Sequence, residues 1–393
     1  MRWENLREGT GNAGAGNTMQ QALFEPAAAP APPRGTGRAG VRTAGPGPVR
    51  AGENGEPVAV EVRARSIINR VQGDSPLFRW TVNPYRGCSH ACVYCFARRT
   101  HEYLDLDSGR DFDTRILVKV NAGERLRAEL ARPSWRGEHI AMGTNTDPYQ
   151  RAEGRYRLMP QIIAALREAA NPFSILTKGT LVLRDLDLLE QAARVTEVGM
   201  AVSVGSVDPA VWRTVEPGAP SPRARLDVVR RLAERGIGCS VLMAPILPGL
   251  TDSAEQIEET VAAVAEAGAT RLTPVVLHLR PGAREWYRAW LTREHPRLVP
   301  LYRELYGRGS YAPESYQRIV TTAVREIAAR YGLGRSGSAR RPQQGGESGT
   351  GGSAQADTEA EQLSLQLPES AVNRPVTRTR RGGHRAHRAA RPR

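Results

Sequence analysis

Residues 83–104 read NPYRGCSHACVYCFARRTHEYL and hold three of the four cysteines of a 393-residue chain, Cys88, Cys92 and Cys95. The spacing CxxxCxxC lets a short irregular loop aim three thiolates at separate irons on one face of an iron–sulfur cube. The fourth iron of such a cube has no cysteine here and stays open to a small molecule. A structural zinc loop uses the same soft ligands, with His90 and His101 as the nearby candidates to complete it. The second CxxC pair that usually partners such a loop is missing.

Outward from the loop, the chain alternates strands and helices. VAVEVRARSIINRV, from Val58, shows short alternation, and FRWTVNPYRGC predicts a strand running straight into the cysteines. The loop then sits at a strand's C-terminal end, the edge where ligands collect in parallel α/β architectures. RILVKVN (115–121) reads as a strand or approach segment and AGERLRAELAR (122–132) as a helix. HIAMGTNTDPYQ (139–150) reads as a strand ending in a polar turn. LMPQIIAALREAAN (158–171), DLDLLEQAARV (185–195) and SPRARLDVVRRLAERG (221–236) have helical spacing, the last closed by Gly236. Between and after them lie the strands PFSILTKGT (172–180), EVGMAVSVGSVD (197–208) and IGCSVLMAPILPGLTD (237–252). A capping box at Ser253 and Gln256 starts the next helix. RLTPVVLHLRPGAREWYRAWL (271–291) is a strand into a helix, and the apolar stripe of 313–333 predicts a helix packed on the core. Six strand–helix units of about thirty residues each predict an α/β fold with a parallel sheet and right-handed crossovers.

The three cysteines, with Tyr94 just before the last, resemble the radical S-adenosylmethionine (SAM) superfamily. The flanks NPYRGC and FARRTHEYL resemble its uncharacterised bacterial group related to spore photoproduct lyase. The resemblance implies a partial (β/α)6 TIM-like barrel over roughly 58–291. It implies a [4Fe-4S] cluster on Cys88, Cys92 and Cys95 whose open iron is chelated by the amino and carboxylate groups of SAM. It further implies that Tyr94 lies next to adenine, that Thr144, Thr146 and Asp147 meet the SAM amino group, that Lys178 pairs with its carboxylate, and that Ser203 reaches the ribose. The activity implied is reductive cleavage of SAM to methionine and a 5′-deoxyadenosyl radical that abstracts hydrogen from a substrate, with an electron donor such as flavodoxin or ferredoxin. Photoproduct lyases use a further cysteine near the second-strand motif to return a hydrogen atom. Here that turn reads Met142-Gly143-Thr144-Asn145-Thr146, which argues against photoproduct repair. The spare thiol, Cys239, reads as a small buried hydrophobe, Tyr85, Tyr103 and Tyr149 as packing residues, and His278 and Arg280 as candidates to reach substrate.

Composition sets the remaining expectations. With 40% apolar residues the chain can bury a sizeable core. It has no apolar run of membrane-spanning length and no apolar segment near its start, and a thiolate-bound cluster needs a reducing compartment, so the expected location is the cytoplasm. Residues 1–57, rich in Pro, Ala and Gly, and the polar, then Arg-rich, 334–393 are expected to be disordered extensions around a 58–333 core. The net charge of +14 is concentrated at the C-terminal end, where residues 374–393 carry eight arginines and no acidic residue. That tail suits contact with nucleic acid phosphates. It supports an alternative reading, a non-enzymatic nucleic-acid-binding protein with a structural iron–sulfur or zinc loop. Of the 55 basic residues only Lys119 and Lys178 are lysines. A lysine retained against such a bias is expected where a compact ammonium is needed.

Overall fold

The computed structural model describes residues 57–71 and 78–333. The two expected extensions, with the Arg-rich tail, lie outside the described residues. The strands are β1 (Val58–Val62), β2 (Ile68–Arg70), β3 (Trp80–Val82), β4 (Tyr85–Arg86), β5 (Arg115–Lys119), β6 (Ile140–Met142), β7 (Phe173–Thr177), β8 (Val198–Ser203), β9 (Cys239–Ile246) and β10 (Arg271–Val276). Seven form one sheet in the order β10-β9-β8-β7-β6-β3-β2. The ladders from β3 through β10 are parallel, and β2 adds an antiparallel edge beside β3. This is the expected α/β fold: six parallel strands with helical crossovers, open between the outermost strands.

The strands hold this layout because both faces are covered. Consecutive residues on β6, Ile140, Ala141 and Met142, and on β8, Met200, Ala201 and Val202, are at most 2% exposed, the near-continuous apolar character of strands buried on both sides. The helices are set by local chemistry. Asp208 and Ser221 cap helices Pro209–Val215 and Pro222–Glu234 through their side chains, each with proline in the first turn. Ser253 caps helix Ala254–Glu266, but only half of the expected capping box forms, since the Gln256 amide donates to the Leu250 carbonyl instead.

One expectation is corrected. FRWTVNPYRGC is two strands, because Pro84 has no N–H to continue a ladder. The chain leaves the main sheet at Asn83, and β4 pairs antiparallel with β5 in a separate sheet of order β1-β5-β4. The approach segment RILVKVN therefore belongs beside the barrel. Lys119, at the end of β5, sits in this joint: its Nζ donates to the Asn83 carbonyl at 2.8 Å and its backbone N–H to the Pro84 carbonyl at 3.0 Å. Burial, with Arg86 nearby, lowers its pKa to about 8.

Candidate active site

The cysteine loop follows β4 and is fastened on three sides. The Cys88 N–H donates to the Phe112 carbonyl, Val93 N–H to Val215, and Gly218 N–H to the His90 carbonyl. Gly218 is required there, since a Cβ on it would lie 2.0 Å from the Ser89 carbonyl oxygen. Gln150, fully buried, joins the loop to the turn after β6: its Nε2 donates to the Gly87 carbonyl at 2.9 Å, and its Oε1 accepts from the Ser89 N–H at 3.0 Å. Arg98, also fully buried, donates to the Cys92 carbonyl and to both oxygens of Asp113. Its guanidinium lies over the Phe112 and Trp286 rings.

Cys88, Cys92 and Cys95 line one cavity of about 190 Å³ at the C-terminal ends of the barrel strands, with Tyr94, Thr144, Asp147, Lys178 and Ser203. Tertiary structure thus gathers residues from the ends of β6, β7 and β8 around the loop. Strand alternation selects them: on β9 Ser240, Leu242 and Ala244 face the cavity, while Cys239, Val241 and Met243 are fully buried on the other side. Gly143 opens the turn after β6 with φ +82°, and a Cβ there would fall 1.8 Å from the Leu176 carbonyl oxygen. Only glycine brings this turn so close to β7.

The polar groups are held in register. Asp147 accepts from the Tyr149 N–H at 2.9 Å, Thr177 Oγ1 at 2.6 Å and the Lys178 N–H at 2.6 Å. Lys178 Nζ donates to Ser203 Oγ at 2.9 Å, and that hydroxyl donates to the Ala244 carbonyl. The ammonium lies 5.8 Å from the centre of the Tyr94 ring. Thr146 is the exception among the expected residues. It is buried away from the cavity, its hydroxyl donating to the Tyr85 carbonyl at 2.9 Å.

Sequence reading missed several participants. Glu216 is buried where it accepts from Tyr94 Oη and Arg225 Nη2 and lies 3.9 Å from Lys178 Nζ. Burial opposes its ionisation, but the Arg225 and Lys178 charges and the two hydrogen bonds outweigh that and hold it below the usual carboxylate range. His90, named from the sequence only as a candidate zinc ligand, lines the cavity with Nδ1 3.5 Å from Asp147. Burial lowers its pKa despite that carboxylate. Asn145, Phe78 and Phe96 also line the cavity. All three lie in stretches quoted above, Asn145 in the polar turn, but nothing local marked them as facing one cavity. His278 lines the cavity as well, stacked at 5.7 Å on Tyr311, whose hydroxyl contacts Arg280. Tyr85 and Tyr149 pack as expected, bonded to Glu153 and Asp185 respectively. Cys239 is buried behind the sheet, where burial raises its pKa to about 12.

The profile of the Radical SAM superfamily matches residues 82–264. An uncharacterised protein of Mycobacterium tuberculosis is 53% identical over 274 residues, covering 70% of this chain and 81% of that protein. The chain belongs to the radical SAM superfamily. Its fold is that of spore photoproduct lyase: the lyase complexed with dinucleoside spore photoproduct superposes with a TM-score of 0.53 at 16% identity, covering 70% of this chain and 79% of that one. A radical SAM Nα-GlyT isomerase of Pseudomonas phage M6 is 26% identical over 222 residues, 55% of this chain and 42% of the isomerase. This radical SAM protein is an enzyme, and its cofactors are a [4Fe-4S] cluster and SAM. Among the described residues no helix is long and apolar enough to cross a membrane.

The residues present fit those cofactors. Burial raises the pKa of all three thiols, Cys92 to about 12, by more than the nearby Lys178, Arg225 and Arg98 cations lower it, so three thiolates here call for further bound positive charge, which iron supplies. A single ion is a poorer match. Among the described residues no three of His, Cys, Asp or Glu are placed to hold one, and His101 is engaged instead, with Nε2 3.0 Å from the Arg115 carbonyl oxygen.

Proposed function

We propose that Cys88, Cys92 and Cys95 hold the [4Fe-4S] cluster and that SAM occupies the adjoining cavity as the source of a hydrogen-abstracting radical. The supporting observation is the grouping around one cavity of three thiols, a carboxylate, an ammonium and a hydroxyl drawn from separate strand ends. When bound and reduced, the cluster supplies the electron that splits SAM into methionine and a 5′-deoxyadenosyl radical. Asp147, held by three donors, faces the SAM ammonium with Thr144 beside it. Lys178 faces the carboxylate, Ser203 the ribose and Tyr94 the adenine. Thr146 serves this group from behind by fixing the turn to Tyr85. Apolar walls from Phe78, Phe96, Leu242, Val275 and Leu277 exclude water and competing hydrogen donors. The electron comes from a reductant of the flavodoxin or ferredoxin class.

Photoproduct repair of the kind that returns hydrogen through a fourth thiol is not part of this reading. Cys239 is the only cysteine left, and it lies outside the cavity lining.

Anaerobic protein reconstituted with iron and sulfide, reduced and supplied with SAM, is expected to yield 5′-deoxyadenosine by mass spectrometry, and Cys88→Ala, Cys92→Ala and Cys95→Ala to yield none. Stoichiometric zinc without SAM binding would sink the proposal.

A further inference from the structure

The two oxygens of Glu216 look in different directions. Oε2 takes the Arg225 guanidinium, while Oε1 takes the Tyr94 hydroxyl and lies 3.9 Å from Lys178 Nζ. Arg225 is 1% exposed and does not line the cavity. Its other donors go to the Ser203 carbonyl at 2.9 Å and the Pro220 carbonyl at 2.9 Å. One buried cation therefore neutralises Glu216 from behind and ties down the end of β8, which carries Ser203. Two positive charges then share one negative charge, and the surplus is the Lys178 ammonium, the member of the trio that reaches the cavity. Were Arg225 absent, the nearest cation left for the buried Glu216 carboxylate would be Lys178, because a buried carboxylate needs a partner. The lysine would then turn from the cavity and lose its charge advantage toward an anion.

We propose that Arg225 is a positioning residue that keeps Glu216 from quenching Lys178, so that an uncompensated ammonium faces the carboxylate of SAM. Glu216 in turn fixes the Tyr94 ring through its hydroxyl. This rests on the reading of the cavity as the SAM site. Lys178 and Asp147 then present a cation and an anion to a zwitterionic amino acid group, and the selectivity is for that end of the ligand.

The test is equilibrium dialysis of the full-length reconstituted protein with SAM and with 5′-methylthioadenosine, which keeps the nucleoside and lacks the amino acid end. Iron content is measured in each variant. Arg225→Met is expected to keep its iron and to bind SAM roughly ten- to a hundredfold more weakly, the range of one charged hydrogen bond, with 5′-methylthioadenosine changed less than about threefold on the same scale. Adding Glu216→Gln to Arg225→Met removes the stranded carboxylate and is expected to restore most of the SAM affinity. A purely structural ion pair weakens both ligands alike and recovers both alike when its second partner is removed; that result, or a double variant that binds SAM as weakly as Arg225→Met, would overturn the proposal. If Arg225→Met fails to fold, Glu216→Gln alone decides. It is expected to bind SAM no more weakly than wild type, and a tenfold loss refutes the charge argument. Wild-type protein that holds four irons yet binds no SAM overturns the cavity assignment itself, a result separate from those above.

Discussion

Replacing Gln150 by methionine isolates the clamp that joins the cysteine loop to the turn after β6. The substitution nearly conserves volume, so little cavity is created. What is lost is one donor and one acceptor, to the Gly87 carbonyl at 2.9 Å and from the Ser89 N–H at 3.0 Å, at a side chain that is fully buried. Each backbone group left unsatisfied costs about 1–3 kcal/mol, so the pair costs about 2–6 kcal/mol. In a protein of this size each kcal/mol lowers Tm by about 2–4 °C, and a fall of about 5 °C or more is expected on that scale. Thermal unfolding of the metal-free protein, followed by circular dichroism, measures the loss without cluster chemistry. Hydrogen exchange should show the Ser89 amide losing protection, and reconstitution should yield less than a full complement of iron. A Tm within about 1 °C of wild type, with the Ser89 amide still protected, would refute the view that Gln150 holds the loop.

Further substitutions probe other joints. Gly143→Ala, which sets a Cβ 1.8 Å from the Leu176 carbonyl oxygen at a φ of +82°, should displace the turn and abolish SAM binding while leaving secondary structure visible by circular dichroism. Arg98→Leu should cost about 3–5 kcal/mol in urea unfolding, because it strands the partly buried Asp113 without its fully buried cation; a cost below about 1 kcal/mol would deny the pair that role. His139, whose pKa burial lowers to about 4, binds its proton more readily unfolded, so its contribution to stability is full above pH 6.5 and is lost as pH falls from there toward 4. His139→Phe should remove about 3 kcal/mol of that acid-side loss, seen as a flatter dependence of unfolding free energy on pH; an unchanged slope would contradict it. Cys239→Ala should lower stability by about 1 kcal/mol yet leave iron content and 5′-deoxyadenosine yield unchanged.

Much of this was written locally. The parallel strands and their helices follow from apolar periods that neighbouring residues encode, and the cysteine loop from its spacing. Lys178 stood out because composition bias left so few lysines. Lys119 stood out equally, and the structure gives it a different task, bracing the joint at Asn83 and Pro84. The break at Pro84 was legible in principle, since proline cannot continue a ladder, but the second sheet that receives β4 was not.

The sequence by itself determined the repeating α/β layout, the thiol loop and the strand ends that carry Asp147, Lys178 and Ser203, because each depends on chemistry within a few residues. Tertiary structure decided which of these face one another. Tyr94 and Glu216 meet across 122 positions of chain, Thr146 turns away to Tyr85, and His90 enters the cavity. Such pairings depend on burial and on charges brought together only by the closed layers of the fold, and no local pattern records them.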